Sequence, residues 1–191
     1  DWRNQKAHGG GMVLDWGIHL LDQALRIGEG RKLISVYAEL TNVTNEECDD
    51  GFRVTLIFEG DLSMYVEVTT SNFIELPRWY ILGENGSAVI NDWDLNGEIV
   101  KVSDWENRDA VPILAGVGLT KTMAPRTDDT IKHYPLPKVD SSWTQFYENV
   151  FAALRGEEEQ LITHDQQRRL LKLVDAIFES GNENKVVFFD K

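Results

Sequence analysis

Between His8 and Gly30 the chain reads HGGGMVLDWGIHLLDQALRIGEG, and the middle of this stretch is apolar on nearly every side. A helix of that kind has to be buried. Yet it carries Asp15, His19, Asp22 and Arg26, spaced four, three and four apart. At about 3.6 residues per turn these side chains fall on one stripe. Burying ionised groups without partners costs several kcal/mol, so the stripe either closes on itself or faces a polar cleft. Two readings stand at this point. One is an internal ladder, Asp15 to His19 and Asp22 to Arg26. The other is a site, in which Asp15 orients His19 and fixes its tautomer while the other ring nitrogen reaches a substrate.

A length of 191 residues suits one well-buried domain. A net charge of -13 argues against nucleic-acid binding, which needs a basic face. The single cysteine, Cys48, excludes an internal disulfide and points to a reducing, cytoplasmic setting. Its neighbours Glu46, Glu47, Asp49 and Asp50 disfavour a thiolate nucleophile. No apolar run approaches the ~20 residues of a membrane span, and no signal-peptide pattern is present. The chain opens on Asp1 and enters the glycine run almost at once, which reads as a piece of something longer.

Beyond the first helix the apolar period becomes two. Ile34, Val36, Ala38 and Leu40 alternate with polar neighbours, as do Phe52, Val54, Leu56 and Phe58, then Leu62, Met64, Val66 and Val68 after the Glu59-Gly60-Asp61 turn. A second hairpin is expected at Glu84-Asn85-Gly86, with Asn-Gly supplying positive φ, and GEIVKV adds a strand. Residues 103–130 lose any pattern, and a segment of that length is more often functional or an interface than idle. Two helices follow. The first is capped near Asp140 to Ser142, carries Trp143, Tyr147, Val150, Phe151 and Leu154 on one face and ends before Gly156. The second has a Thr163/Gln166 capping box, carries Leu170, Leu173, Val174, Ile177 and Phe178, and ends before Gly181. KVVFF is a final strand. The class is α+β: an open, mainly antiparallel (mixed) sheet with helices on one face, in a single domain over 1–191.

No G-x-G-x-x-G lies between a strand and a helix, and there is no Walker A run, paired-Cys zinc motif or G-x-S-x-G elbow. Asp15 and His19 could both reach one cation, but His8, His133 and His164 lie in unrelated surroundings, so no metal site is expected.

GGGMVLDWGIHLLDQAL resembles the G-G-G-x-x-x-D-x-G-x-H-x-x-D signature that opens the C-terminal domain of the Gfo/Idh/MocA oxidoreductases, the family of glucose-fructose oxidoreductase and inositol dehydrogenase. Gly9, Gly10, Gly11, Asp15, Gly17, His19 and Asp22 fill its positions. The preceding DWRN and the closing FYENVFAALRGEEEQLITHDQQRRLLKLVDAIFES are similar to the family's flanking segments.

The resemblance implies the dihydrodipicolinate-reductase-like α/β fold, with the open sheet face used for homodimer or higher contacts. It implies a sugar, polyol or related hydroxyl substrate, and NAD or NADP bound mainly by an N-terminal Rossmann domain absent from this chain. That domain would also bring the lysine of a Glu-Lys-Pro motif, so the fragment alone is expected to be inactive. By the same resemblance His19 is the acid/base that takes a substrate hydroxyl proton, and Asp15 orients it. The alternative is a non-catalytic dimerisation module that has kept the fold.

Further candidates for substrate contact are Arg3 and Asn4, near the implied domain junction, and Trp79 with Tyr80, which otherwise read as core. Lys121 and Arg126 in the long loop would meet an anionic substrate or a partner subunit, or else are solvated. Asp22 reads as structural, paired with Arg26 or a backbone amide.

Overall fold

The computed structural model describes residues 1–103, 112–120 and 126–189. The chain forms two compact units, Asp1–Phe73 with Ser142–Lys191, and Ile74–Ser141.

The first unit opens on short 3₁₀ turns, Trp2–Asn4 and Lys6–His8, then a π-helical turn, Val13–Gly17, that runs into α1, Ile18–Ile27. Strands β1 (Leu33–Thr41), β2 (Gly51–Phe58) and β3 (Ser63–Thr69) form an antiparallel meander. In the second unit, β4 (Trp79–Gly83), β5 (Gly86–Ile90), β6 (Gly97–Val102) and β9 (Ile131–Pro135) make a four-stranded antiparallel sheet in that order. The separate hairpin of β7 (Ile113–Ala115) and β8 (Gly118–Thr120) falls in the stretch where the sequence showed no period. Helices α2 (Trp143–Leu154) and α3 (His164–Glu183) and strand β10 (Val187–Phe188) return to the first unit, where β10 pairs with β1. The strands are thus divided between two sheets and a hairpin, within the expected α+β class.

The core of the first unit lies between its sheet and the helices α1 and α3. Phe52, Val54, Leu56 and Phe58 of β2 alternate inward as their period required, against Leu21 and Leu25 of α1 and Leu170, Leu173, Val174 and Ile177 of α3. The start of β1 departs from simple alternation. A register shift between Leu33 and Ser35 puts Leu33, rather than Ile34, in the core. On the other face Tyr37, Thr55 and Tyr65 align across the sheet, next to a Glu39, Arg53 and Glu67 row in which Arg53 Nε lies 3.0 Å from Glu67 Oε1.

Three local expectations need correction. The hairpin at residues 84–86 forms, but neither Asn85 nor Gly86 takes positive φ. Gly86 is instead required by packing, since a Cβ there would lie 2.3 Å from the Val100 carbonyl oxygen. Gly181 does not end α3, which runs on to Glu183 and closes at Asn184 with φ 49; a Cβ at 181 would meet Leu40 Cγ at 2.6 Å, so this glycine admits a strand side chain. The apolar file on α2 faces outward. Trp143 is 92% exposed and Leu154 79%, whereas the buried positions are Asn149 and Ala152. Asn149 holds the following loop, donating to the Glu159 carbonyl at 2.9 Å and accepting from Leu161 N at 3.0 Å.

Candidate active site

The three glycines before the helix each meet a different steric demand. Gly9, with φ 74, closes the Lys6–His8 turn in the left-handed region. Gly10 lies so close to the first turn that a Cβ would sit 2.3 Å from the Arg3 carbonyl oxygen. Gly11 has φ 119, and a Cβ there would sit 2.3 Å from Asp49 Oδ1.

Asp49 comes from the β1–β2 connection and is 7% exposed. Its Oδ2 accepts from Val13 N at 2.8 Å, and its carbonyl accepts from Met12 N at 3.0 Å. Burial raises its pKa above the ordinary carboxylate range, and the bonds from Val13 and Met12 oppose that shift. The glycine run therefore leads into amides already held by Asp49, Met12 N by its carbonyl and Val13 N by its carboxylate. A dinucleotide needs free amides at such a place for its pyrophosphate, and a fixed carboxylate there repels it. These residues do not fit a nicotinamide dinucleotide cradle.

The connection bearing Asp49 is itself tied down by Asp50. The Asp50 carboxylate accepts from Thr44 N, from Thr44 Oγ1 at 2.9 Å, from Asn45 N at 3.2 Å and from Thr41 Oγ1 at 3.3 Å. Burial works to raise its pKa, but these bonds win and hold it at about 2. Neither aspartate was singled out as a site residue from sequence. The contact between Asp49 and Val13 spans 36 residues, and an acidic pair before a strand carries no signal of what it caps.

The Met12 carbonyl accepts from Gly17 N at 2.7 Å, which closes the π turn. Gly17 admits the Phe52 ring, whose Cε1 lies 2.8 Å from where a Cβ would stand. A π turn takes more residues per revolution than an α turn, so Asp15 is out of register with the stripe continued by His19, Asp22 and Arg26. One rung of the ladder forms, Arg26 Nε to Asp22 Oδ2 at 3.0 Å. The other does not: half-buried Asp15 turns to Arg3, with Arg3 Nε 3.3 Å from Oδ2 and 3.4 Å from Oδ1. His19, in the first turn of α1, is exposed and makes no hydrogen bond or ion pair to the described residues.

Arg3 and Asn4 lie beside this group. The Arg3 carbonyl accepts from Gly11 N at 2.9 Å, and the Asn4 carbonyl accepts from Asn45 Nδ2 at 3.0 Å. Both side chains are exposed. Cys48 is buried, with its Sγ 3.2 Å from Asn45 Nδ2. The structure thus joins Arg3 to Asp15, and the same unit holds Asn4 and His19. Trp79 and Arg126 belong to the second, where half-buried Trp79 starts β4 opposite Ile90. Lys121 lies outside the described residues. Among the described residues no group of three or more His, Cys, Asp or Glu is arranged to hold a metal ion, and no helix is long and apolar enough to cross a membrane.

Residues 1–89 match the family model described as GFO/IDH/MocA C-terminal domain. Over these residues the chain is similar to a GFO/IDH/MocA C-terminal domain. The matched region holds Arg3, Asp15, His19, Asp49 and the whole β1–β3 meander. A solved NAD-binding protein from Listeria innocua is 44% identical, with a TM-score of 0.91 over 99% of this chain and 54% of its own. The scyllo-inositol 2-dehydrogenase (NADP(+)) IolW of Bacillus subtilis is 21% identical over 99% of this chain and 52% of its own length. The WlbA dehydrogenase from Bordetella pertussis, solved with NADH and UDP-GlcNAcA, shares the fold at 20% identity, with a TM-score of 0.59 over 95% of this chain and 46% of its own. The chain spans about half the length of these relatives.

Proposed function

We propose that this GFO/IDH/MocA domain is the substrate-side half of an NAD(P)-dependent oxidoreductase acting on a sugar, polyol or related hydroxyl compound, with His19 as its general acid/base. The observation that carries the reading is the state of His19: an exposed imidazole on a helix whose opposite face packs into the core through Leu21, Ala24 and Leu25, with no partner among the described residues and a carboxylate held by Arg3 one turn away. An imidazole so placed can accept a hydroxyl proton from a bound substrate. A nicotinamide cofactor, if bound, would supply hydride acceptance; the amides at Met12 and Val13, already held by Asp49, would not be what holds it.

The substrate class and cofactor draw support from relatives described as an NADP(+)-dependent inositol dehydrogenase and a dehydrogenase seen with NADH and a nucleotide sugar. The face bearing Tyr37, Ile57, Thr55 and Tyr65 is assigned to homodimer contacts, since Tyr65 is 60% exposed there. The buried, unpaired Cys48 fits a cytoplasmic setting.

The test is turnover of the longer protein containing this chain, assayed with inositols and nucleotide sugars against NAD and NADP, for wild type and His19→Ala. Turnover that depends on His19 supports the reading. Turnover indifferent to His19 would overturn its acid/base role, and no turnover with any hydroxyl compound would support the non-catalytic module.

A further inference from the structure

We propose that Asp49 is a positioning residue for the proton-transfer site, holding the start of the His19 helix through the backbone of Met12 and Val13. The inference rests on the reading of His19 given above. Its geometric part stands on contacts alone.

Asp49 grips two consecutive residues, Met12 N through its carbonyl at 3.0 Å and Val13 N through Oδ2 at 2.8 Å. Met12 is the residue whose carbonyl, accepting from Gly17 N at 2.7 Å, defines the π turn. That turn sets the direction of Asp15 and delivers α1 with His19 as its second residue. The grip is buried, and Gly11 leaves the space it needs. Its anchor is firm, because Asp50 ties the same connection to Thr41, Thr44 and Asn45, and Asp50 N donates to the Thr41 carbonyl at 2.9 Å.

A carboxylate is not obligatory for this role. What matters is an acceptor oxygen at the Oδ2 position, which asparagine supplies and alanine does not. Misplacing a catalytic group by about 1 Å costs on the order of 10²-fold in rate. Loss of the Asp49 grip should therefore act on turnover more than on substrate affinity.

The experiment compares Asp49→Asn, Asp49→Ala and Asp49→Ser. In this chain, amide hydrogen exchange at Val13 and Gly17 and the His19 ring resonances report the geometry without any substrate. Asp49→Ala should lose protection at both amides and shift the His19 signals, and Asp49→Asn should keep wild-type behaviour. Should Asp49→Ala not fold, Asp49→Ser, too short to reach Val13, carries the same expectation.

In the longer protein, Asp49→Ala should lower kcat by roughly 10- to 100-fold with KM changed less than about threefold, and Asp49→Asn should restore most of it. Added to His19→Ala, it should lower kcat no further. Unchanged protection and signals in Asp49→Ala would overturn the proposal, as would an equal loss of kcat in the His19→Ala background. If protection is lost as expected while His19→Ala leaves turnover intact, the His19 reading fails and the positioning of the helix stands.

Discussion

Arg3 Nε lies within 3.4 Å of both carboxylate oxygens of Asp15, so the N-terminal turn is joined to the helix that carries His19 by one shared donor. The contact is long and half-exposed, and pairs of this kind contribute about 0–1 kcal/mol. Arg3→Met should therefore change stability by no more than that, measured by urea unfolding. It should free Asp15 to turn toward His19, four residues on, and shift the His19 ring resonances, read by NMR. The charged groups on and beside this helix are Asp15, Asp22, Arg26 and Glu29, Arg3 and Asp1 from the first turn, Asp49 from the β1–β2 connection, and Arg169 of α3, which lies by Asp22 and Arg26. Arg169 and Arg26 are unchanged in the variant, so a shift that vanishes in Arg3→Met with Asp15→Asn belongs to Asp15.

Asp50 supplies a pH dependence whose sign is fixed. Its folded pKa of about 2 lies below the ordinary 3.8, so its contribution is fully present above pH 4 and is lost as pH falls toward 2. A shift of that size corresponds to about 2 kcal/mol. Asp49, raised by burial, acts in the opposite sense and offsets part of the loss as it protonates. Stability of this chain should therefore decline between pH 4 and 2, and Asp50→Asn should be less stable at pH 7 with a shallower acid decline.

Gly11 and Gly30 both have positive φ, 119 and 80, but only Gly11 is crowded. Gly30→Ala meets nothing within 4 Å and should cost about 1 kcal/mol of backbone strain. Gly11→Ala adds a collision with Asp49 Oδ1 and should cost several kcal/mol. Equal effects in thermal melts would count against the packing argument.

Ser180 is fully buried, its Oγ accepting from Ala38 N at 2.8 Å and donating to the Lys185 carbonyl at 2.6 Å. The short strand β10 pairs with Ser35 and Val36, and Ser180 covers the next part of that strand edge at Ala38. Ser180→Ala leaves the Ala38 amide unsatisfied and should cost about 1–3 kcal/mol, with faster exchange at Ala38.

The open sheet face gives a test of assembly. If it is the homodimer contact, Tyr65→Asp should shift the longer protein toward monomer in analytical ultracentrifugation. An unchanged oligomer would assign the contact elsewhere.

What the sequence disclosed is what depends on near neighbours. The Thr163 and Gln166 capping box forms as its spacing required, with bonds of 3.2 and 2.9 Å, and the β2 alternation alone specified which of its side chains enter the core. The misses each need a distant partner. The π turn depends on Asp49, so α-helical spacing from Asp15 to His19 could not show that Asp15 would turn to Arg3. Gly181 reads as a helix stop until Leu40 is known to lie against it. The α2 file follows helical spacing correctly, but spacing says only that its residues share a face, and here that face is outward.

If His19 takes the substrate proton, single-turnover hydride transfer in the longer protein, followed by nicotinamide absorbance, separates wild type from His19→Ala. The rate in His19→Ala should fall by about 10²–10⁴ while cofactor affinity, measured by calorimetry, stays within about twofold. An undiminished hydride-transfer rate in His19→Ala would contradict it.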